Sequence, residues 1–216
     1  MREESVARIL GELRENFESH GGMMKETMGR SMKGMFAAPP LPMLEELKEK
    51  NVETLEHSLR VSRFAIGIGR EMGLNETTMT QLGWGGLLHD VGKLSVAQQI
   101  LTKAERLDAE EFGEMKRHTI MGYELLNSGE YPNEIREIAL FHHERFDGNG
   151  YLYQLKGAEI PLLARICAVA DAYDAMTSAR CYKEERTEQD ALAELKRCSG
   201  GQFDPEVVSA FLKSLQ

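Results

Sequence analysis

The chain has 216 residues, of which 42% are hydrophobic and 28% charged, with 20 glycines and 6 prolines. That composition supports one buried core and excludes a disordered or collagen-like chain. A formal net charge of −9 argues against a broad surface for polymeric nucleic acid, although a small anionic substrate stays open because bound metal reverses local charge.

Val6, Ile9, Leu10, Leu13 and Phe17 recur at helical spacing and predict a first amphipathic helix, broken by Gly21 and Gly22. This opening is acidic and lacks the apolar centre of a signal peptide. Met24, Met28, Met32 and Met35 form a second stripe. It reads as packing against the main body or a second subunit, with a soft methionine groove as the alternative. The segment AAPPLP, 37–42, reads as a linker. Residues 1–42 are therefore an N-terminal helical extension and linker, and 43–216 the main domain.

Helical periodicity continues almost everywhere after that. One helix is predicted from about 44 or 51 to 72, ended by Gly73. Asn75 can cap the next. Asp108 with Glu111 resembles a capping box, and Thr187 with Asp190 a weaker one. Pro132, Pro161 and Pro205 sit where first helical turns would begin. No alternating strand survives its neighbours. The expected fold class is all-α, with seven or eight helices in the main domain and one or two ahead of it. No run reaches 18 apolar residues, so neither a membrane span nor a membrane partner is expected. Cys167, Cys181 and Cys198 are sparse and unclustered. They read as reduced thiols of a cytoplasmic protein, without a Cys-based zinc site.

Five histidines fall in the helical body: His57, His89, His118, His142 and His143. Glu53 and His57 are i and i+4 and share a helix face. His89 and Asp90 are adjacent in LLHDVGK, with Lys93 one turn on; His142 and His143 are consecutive. Asp171 lies in the otherwise apolar ARICAVADAYDAMTS, 164–178. Burying a carboxylate there is costly unless it is paired or binds a cation. Adjacent helical residues diverge by about 100°, so these doublets suit two neighbouring ions, or one ion and its surroundings. Each piece also has a plain reading, as a core hydrogen-bonded pair or a surface helix pair. One metal cluster would explain all of them together. Mixed imidazole and carboxylate suit iron, manganese, zinc or nickel.

Six strings in order then resemble a known family: ETLEHSLRVSRFA (53–65), LLHDVGK (87–93), MKRHTIMGYELL (115–126), IALFHHERFDGNGYL (138–152), IPLLARICAVADAYDAMTSARCYK (160–183) and GGQFDPEVVSAF (200–211). They are similar to the HD-GYP subfamily of HD-domain metal-dependent phosphohydrolases, the cyclic di-GMP phosphodiesterases. The resemblance implies an HD-domain helical bundle that hydrolyses cyclic di-GMP to linear pGpG, and GMP after a second cut. It implies two or three divalent ions, iron or manganese, on His57, His89, Asp90, His118, His142, His143 and Asp171, with Glu53 at a third position. It makes Asp90 the bridging carboxylate and Lys93 the contact to the scissile phosphate. Arg180 and Lys183 would hold substrate phosphate, and Asp147, Gly148, Gly150 and Tyr151 would form the loop beside it. Leu152 and Cys181 stand where the family has proline, and Ser95, Val96 and Ala97 also depart from it. These changes spare every ligand and are expected to loosen loops. A module that binds the dinucleotide without cutting it, or an enzyme for another nucleotide, are the competing readings. No receiver, sensor or membrane domain is expected ahead of residue 50. Regulation would then fall to the Met-rich segment, a homodimer or a protein partner.

Overall fold

The computed structural model describes residues 41–178 and 187–216. Most of the predicted extension lies outside them, as do Arg180, Cys181 and Lys183. The described residues form ten α-helices and two 3-10 turns. The expectation of an all-α fold holds: the one strand-like feature among them is an isolated bridge between Ser199 and Phe203.

The first two helices are α1, Leu41–Lys50, and α2, Val52–Glu71. Sequence alone offered one helix with two possible starts. Asn51 separates them, because it leaves helical geometry and its side chain accepts from Thr54 N at 2.9 Å. Gly73, at φ +69°, ends α2 as expected. Next come α3, Glu76–Leu88, capped by Asn75, then a 3-10 turn at Val91–Ser95 and the single-turn α4, Gln98–Leu101. The reciprocal capping box of Asp108 and Glu111 opens α5, Ala109–Lys116. The remaining helices are α6, His118–Ser128; α7, Asn133–Phe141; α8, Leu162–Thr177; α9, Glu188–Arg197; and α10, Pro205–Ser214. The described residues hold ten helices against the seven or eight expected, in part because α1 and α2 are separate and α4 is too short to show periodicity.

Two apolar clusters hold the helices together. Val61, Ala65 and Ile68 on α2 meet Ile166, Ala170 and Tyr173 on α8, and Val207 and Phe211 on α10. The spacing i, i+4, i+7 on α2 presents one stripe to that core. Leu44 on α1, Trp84, Leu87 and Leu88 on α3, Leu126 on α6 and Ile135 on α7 form the second. Each fully buried aliphatic side chain stabilises by about 1.5–3 kcal/mol. The turn after α3 makes a very close backbone approach to α6. A Cβ on Gly92 would lie 1.8 Å from the His118 carbonyl oxygen and 2.5 Å from Gly122 N. Only glycine lets the turn after α3 seat on α6.

Candidate metal centre

Five helices deliver side chains to one point. His57 comes from the middle of α2 and Asp171 from the middle of α8. His89 follows the last residue of α3, with Asp90 next to it. His118 opens α6, and His142 and His143 follow α7. His57, His89, Asp90, His118 and His142 are each no more than 5% exposed.

The outer nitrogens of four rings are already committed. His89 Nδ1 donates to Gly86 O at 2.8 Å, and His118 Nδ1 to Met115 O at 2.6 Å. His142 Nδ1 is shared between the Ile138 and Ala139 carbonyls at 3.1 and 3.0 Å. His57 Nδ1 meets Asp174 Oδ2 at 2.6 Å. A carbonyl can only accept, so each such Nδ1 carries the proton and each neutral Nε2 presents a lone pair inward. Those lone pairs face one another. His118 Nε2 and His142 Nε2 stand 3.4 Å apart. Buried His89 Nε2 has no hydrogen-bond partner.

Asp90 lies between two sets of rings. Its Oδ1 is 3.2 Å from His118 Nε2 and 3.9 Å from His142 Nε2. Its Oδ2 is 3.4 Å from His89 Nε2, 3.9 Å from His57 Nε2 and 2.5 Å from Lys93 Nζ. Asp171 completes the second set, with Oδ1 3.0 Å from His57 Nε2. His118, His142 and His143 form one compact donor triad among the described residues; His57, His89 and Asp171 form another. Asp90 reaches both. Converging imidazole lone pairs and carboxylate oxygens, with the Lys93 ammonium beside Asp90, fit divalent cations of borderline softness.

The electrostatics agree. Burial would raise the Asp90 pKa, but Lys93 and the adjacent imidazoles hold it well below the usual carboxylate range. Burial, with His143 and His89 alongside, keeps His142 neutral, and burial pushes the His143 pKa down to about 3. His57 is the exception: burial opposes charge on it, but hydrogen bonds to Asp171 and Asp174 raise its pKa and favour a proton on Nε2 as well as Nδ1.

A cleft of about 660 Å³ opens over the centre, lined by His57, Lys93, His118 and His143 among others. That volume suits a small organic ligand. Glu53 is exposed on its rim, and Tyr151 also lines it. The Tyr151 ring lies 4.8 Å from that of His143 at an interplanar angle of 36°. Asp147, Gly148 and Gly150 do not line this cleft. Asp147 instead pairs with Arg145 at 2.7 Å and accepts from Asn149 N at 3.0 Å. Its own N–H donates to Gly201 O at 2.8 Å, docking the loop on the α9–α10 connection. A Cβ on Gly150 would lie 2.6 Å from Glu144 Cα, so this glycine permits a tight fold-back. Leu152 holds φ +85°, which proline cannot adopt. A proline at 152 would therefore need a different backbone path.

Sequence reasoning missed Asp174 and Arg60. Asp174 is 1% exposed and binds both His57 and the Arg60 guanidinium, whose Nε donates to Asp174 Oδ1 at 2.6 Å. The signal was present: a second carboxylate in the same apolar run, one turn beyond Asp171. Glu144 was also passed over. It is 4% exposed and accepts from Tyr153 N at 2.9 Å, anchoring the loop.

Comparison with known proteins follows the same lines. The family model described as "HD domain" matches residues 42–207. A cyclic di-GMP phosphodiesterase of Thermotoga maritima is 43% identical over 175 residues, covering 80% of this chain and 47% of that protein. A 3′3′-cGAMP-specific phosphodiesterase of Vibrio cholerae is 35% identical over 169 residues, covering 77% and 32%. The chain thus spans half or less of these curated relatives. Among solved structures, Bd1817, an HDG"Y"P protein from Bdellovibrio bacteriovorus, superposes with a TM-score of 0.63 at 20% identity, covering 75% of this chain and 52% of that one.

Proposed function

The chain belongs to the HD domain family, and on that premise we propose that it is a phosphodiesterase of the HD-GYP type that opens cyclic di-GMP. The observation that carries this reading is the convergence of proton-free Nε2 atoms on the two oxygens of Asp90. The proposed ligand sets are Asp90, His118, His142 and His143 for one ion, and Asp90, His57, His89 and Asp171 for the other. Glu53, on the rim, is the proposed ligand of a third. Iron or manganese fits this donor mixture. When bound, the ions would supply acidified water as nucleophile and neutralise the phosphate.

The chain's own groups do the rest. Asp90 spans both positions and holds them in register. Lys93, anchored on Asp90 at 2.5 Å with its side chain 21% exposed, presents a compact cation to the scissile phosphate. That charge counts most as the P–O bond to the 3′ oxygen breaks, giving linear pGpG and, after a second cut, GMP. Asp174 and Arg60 keep His57 in the Nδ1–H tautomer. Arg180 and Lys183 are proposed to hold the second phosphate, Arg180 bidentately. Asp147, Gly148 and Gly150 shape the loop that carries Tyr151. A homodimer or protein partner through residues 1–42, and a cytoplasmic setting, belong to the same proposal. No helix among the described residues is long and apolar enough to cross a membrane.

Elemental analysis of anaerobically purified protein, followed by single-turnover incubation with cyclic di-GMP and 3′3′-cGAMP, tests this. Two or more ions per chain and release of linear pGpG are expected. Faster opening of 3′3′-cGAMP would move the substrate toward that of the Vibrio cholerae relative. Retention of uncut dinucleotide by the loaded protein would favour a binding module, as the unusual Leu152 backbone also does.

A further inference from the structure

Phe112 is one of the few large hydrophobic side chains left exposed among the described residues, at 47%. Nothing in the core explains it. No residue of α5 is buried. The helix is held by polar contacts near its start: the Asp108–Glu111 capping box, and Lys103 Nζ at 2.6 Å from Glu111. Yet Phe112 lines the same cleft as Lys93, His118 and His143, together with Met115 of its own helix. The aromatic rings run outward in sequence. His143 lies against Tyr151 with the rings tilted by 36°, and Tyr151 meets Phe112 at 6.4 Å and 76°. The Lys116 ammonium stands over both rings, 4.8 Å from the Phe112 ring centre and 5.7 Å from that of Tyr151.

We propose that Phe112 and Tyr151 form a purine-stacking subsite at the outer end of this cleft, with the Lys116 ammonium, now over the Phe112 ring, swinging aside or turning to the base edge as the purine enters. The inference deepens the phosphodiesterase reading and rests on it. With one phosphate held at Lys93, a base of the same dinucleotide must lie further out in the groove. A flat exposed ring beside a second ring offers that base a π-face. Phe112 brings no hydrogen-bonding atom, so it binds any base by its face. Lys116 supplies donors alone, which suit the O6 and N7 acceptors of guanine better than the amino group of adenine.

The substitutions Phe112→Ala, Phe112→Leu and Phe112→Trp test this, since α5 buries nothing whose loss would unfold the protein. Phe112→Ala is expected to raise KM for cyclic di-GMP about 5- to 150-fold, the equivalent of about 1–3 kcal/mol per stacked base, with metal content equal to wild type. Phe112→Leu keeps the apolar bulk without the π-face and should behave like Phe112→Ala, whereas Phe112→Trp should restore KM. In metal-free protein, the indole introduced by Phe112→Trp should be quenched as cyclic di-GMP is titrated, over the constant background of buried Trp84. Turnover with a wild-type KM in Phe112→Ala, or an unquenched indole, overturns the subsite and leaves the phosphodiesterase reading standing. Quenching without turnover by loaded wild-type protein removes the hydrolytic reading and leaves the subsite.

Discussion

At and beneath the floor of the cleft, His89, His118 and His142 are no more than 2% exposed, and each hands its Nδ1 to a main-chain carbonyl within four residues. At the rim, Phe112 is 47% exposed; in the neighbouring loop, outside the cleft lining, Leu152 is 40% exposed, and the stretch around Asp147 bonds mainly to itself and to the α9–α10 connection. The floor is positioned by helices whose geometry is fixed for other reasons. The rim is positioned by its own short-range contacts. Changes to the floor should therefore fall on chemistry, and changes to the rim on fit and local stability.

The largest effect is expected from Asp90→Ala, which removes the one carboxylate shared by both donor sets. Hydrolysis should fall to background and bound metal should drop below one ion per chain. Full metal content in that variant would break the assignment of Asp90 as the bridge. Asp174→Asn should come next. An amide can donate to His57 Nδ1 and favour the opposite tautomer. Metal affinity is expected to weaken by about 10–100-fold. Long-range nitrogen NMR on metal-free protein should show His57 losing its Nδ1–H form, and an unchanged tautomer would refute the lock.

Smaller effects belong to the loop beside the rim. Leu152→Pro restores the family residue yet should destabilise the protein, because proline cannot reach φ +85°. Leu152→Gly should stabilise by a few tenths to about 1 kcal/mol by relieving that same left-handed backbone. Opposite melting shifts would sharpen the comparison; a stabilising proline would break it. The smallest effect is expected from Asp147→Asn. Arg145 beside Asp147 holds this carboxyl below its usual range. A lowered folded-state pKa stabilises above the unfolded value of about 4, and that contribution fades as pH falls through the folded value. The exposed pair is worth about 1 kcal/mol at most. The melting difference from wild type should therefore be present at pH 7 and shrink steadily below about pH 4.

Helix ends were the most readable part of the fold. Asn75, the Asp108–Glu111 box, Thr187 and Gly73 act through contacts three or four residues away, so local sequence contains them. Pro205 does start a helix from within, whereas Pro132 and Pro161 stand just before theirs. The residue types of the centre were equally plain, because buried carboxylates and imidazole doublets are costly without a cation. Their partners were not. His57 meets Asp174 across 117 residues of chain, and no spacing rule reaches that far. The orientation of the 145–152 loop was hidden for a related reason. A short loop has no periodicity to say which side chains face the groove, so Asp147 reads equally well as a ligand contact or as a loop tie.

The seat of Gly92 on α6 carries a consequence for how such a centre can change. With 1.8 Å between a would-be Cβ and the His118 carbonyl, the distance from Asp90 to His118 is gauged by main chain against main chain. Side-chain drift elsewhere in the bundle leaves that calliper untouched, while any substitution at residue 92 forces it open. Variation can therefore accumulate on the lip of the groove without altering the spacing between the two donor sets.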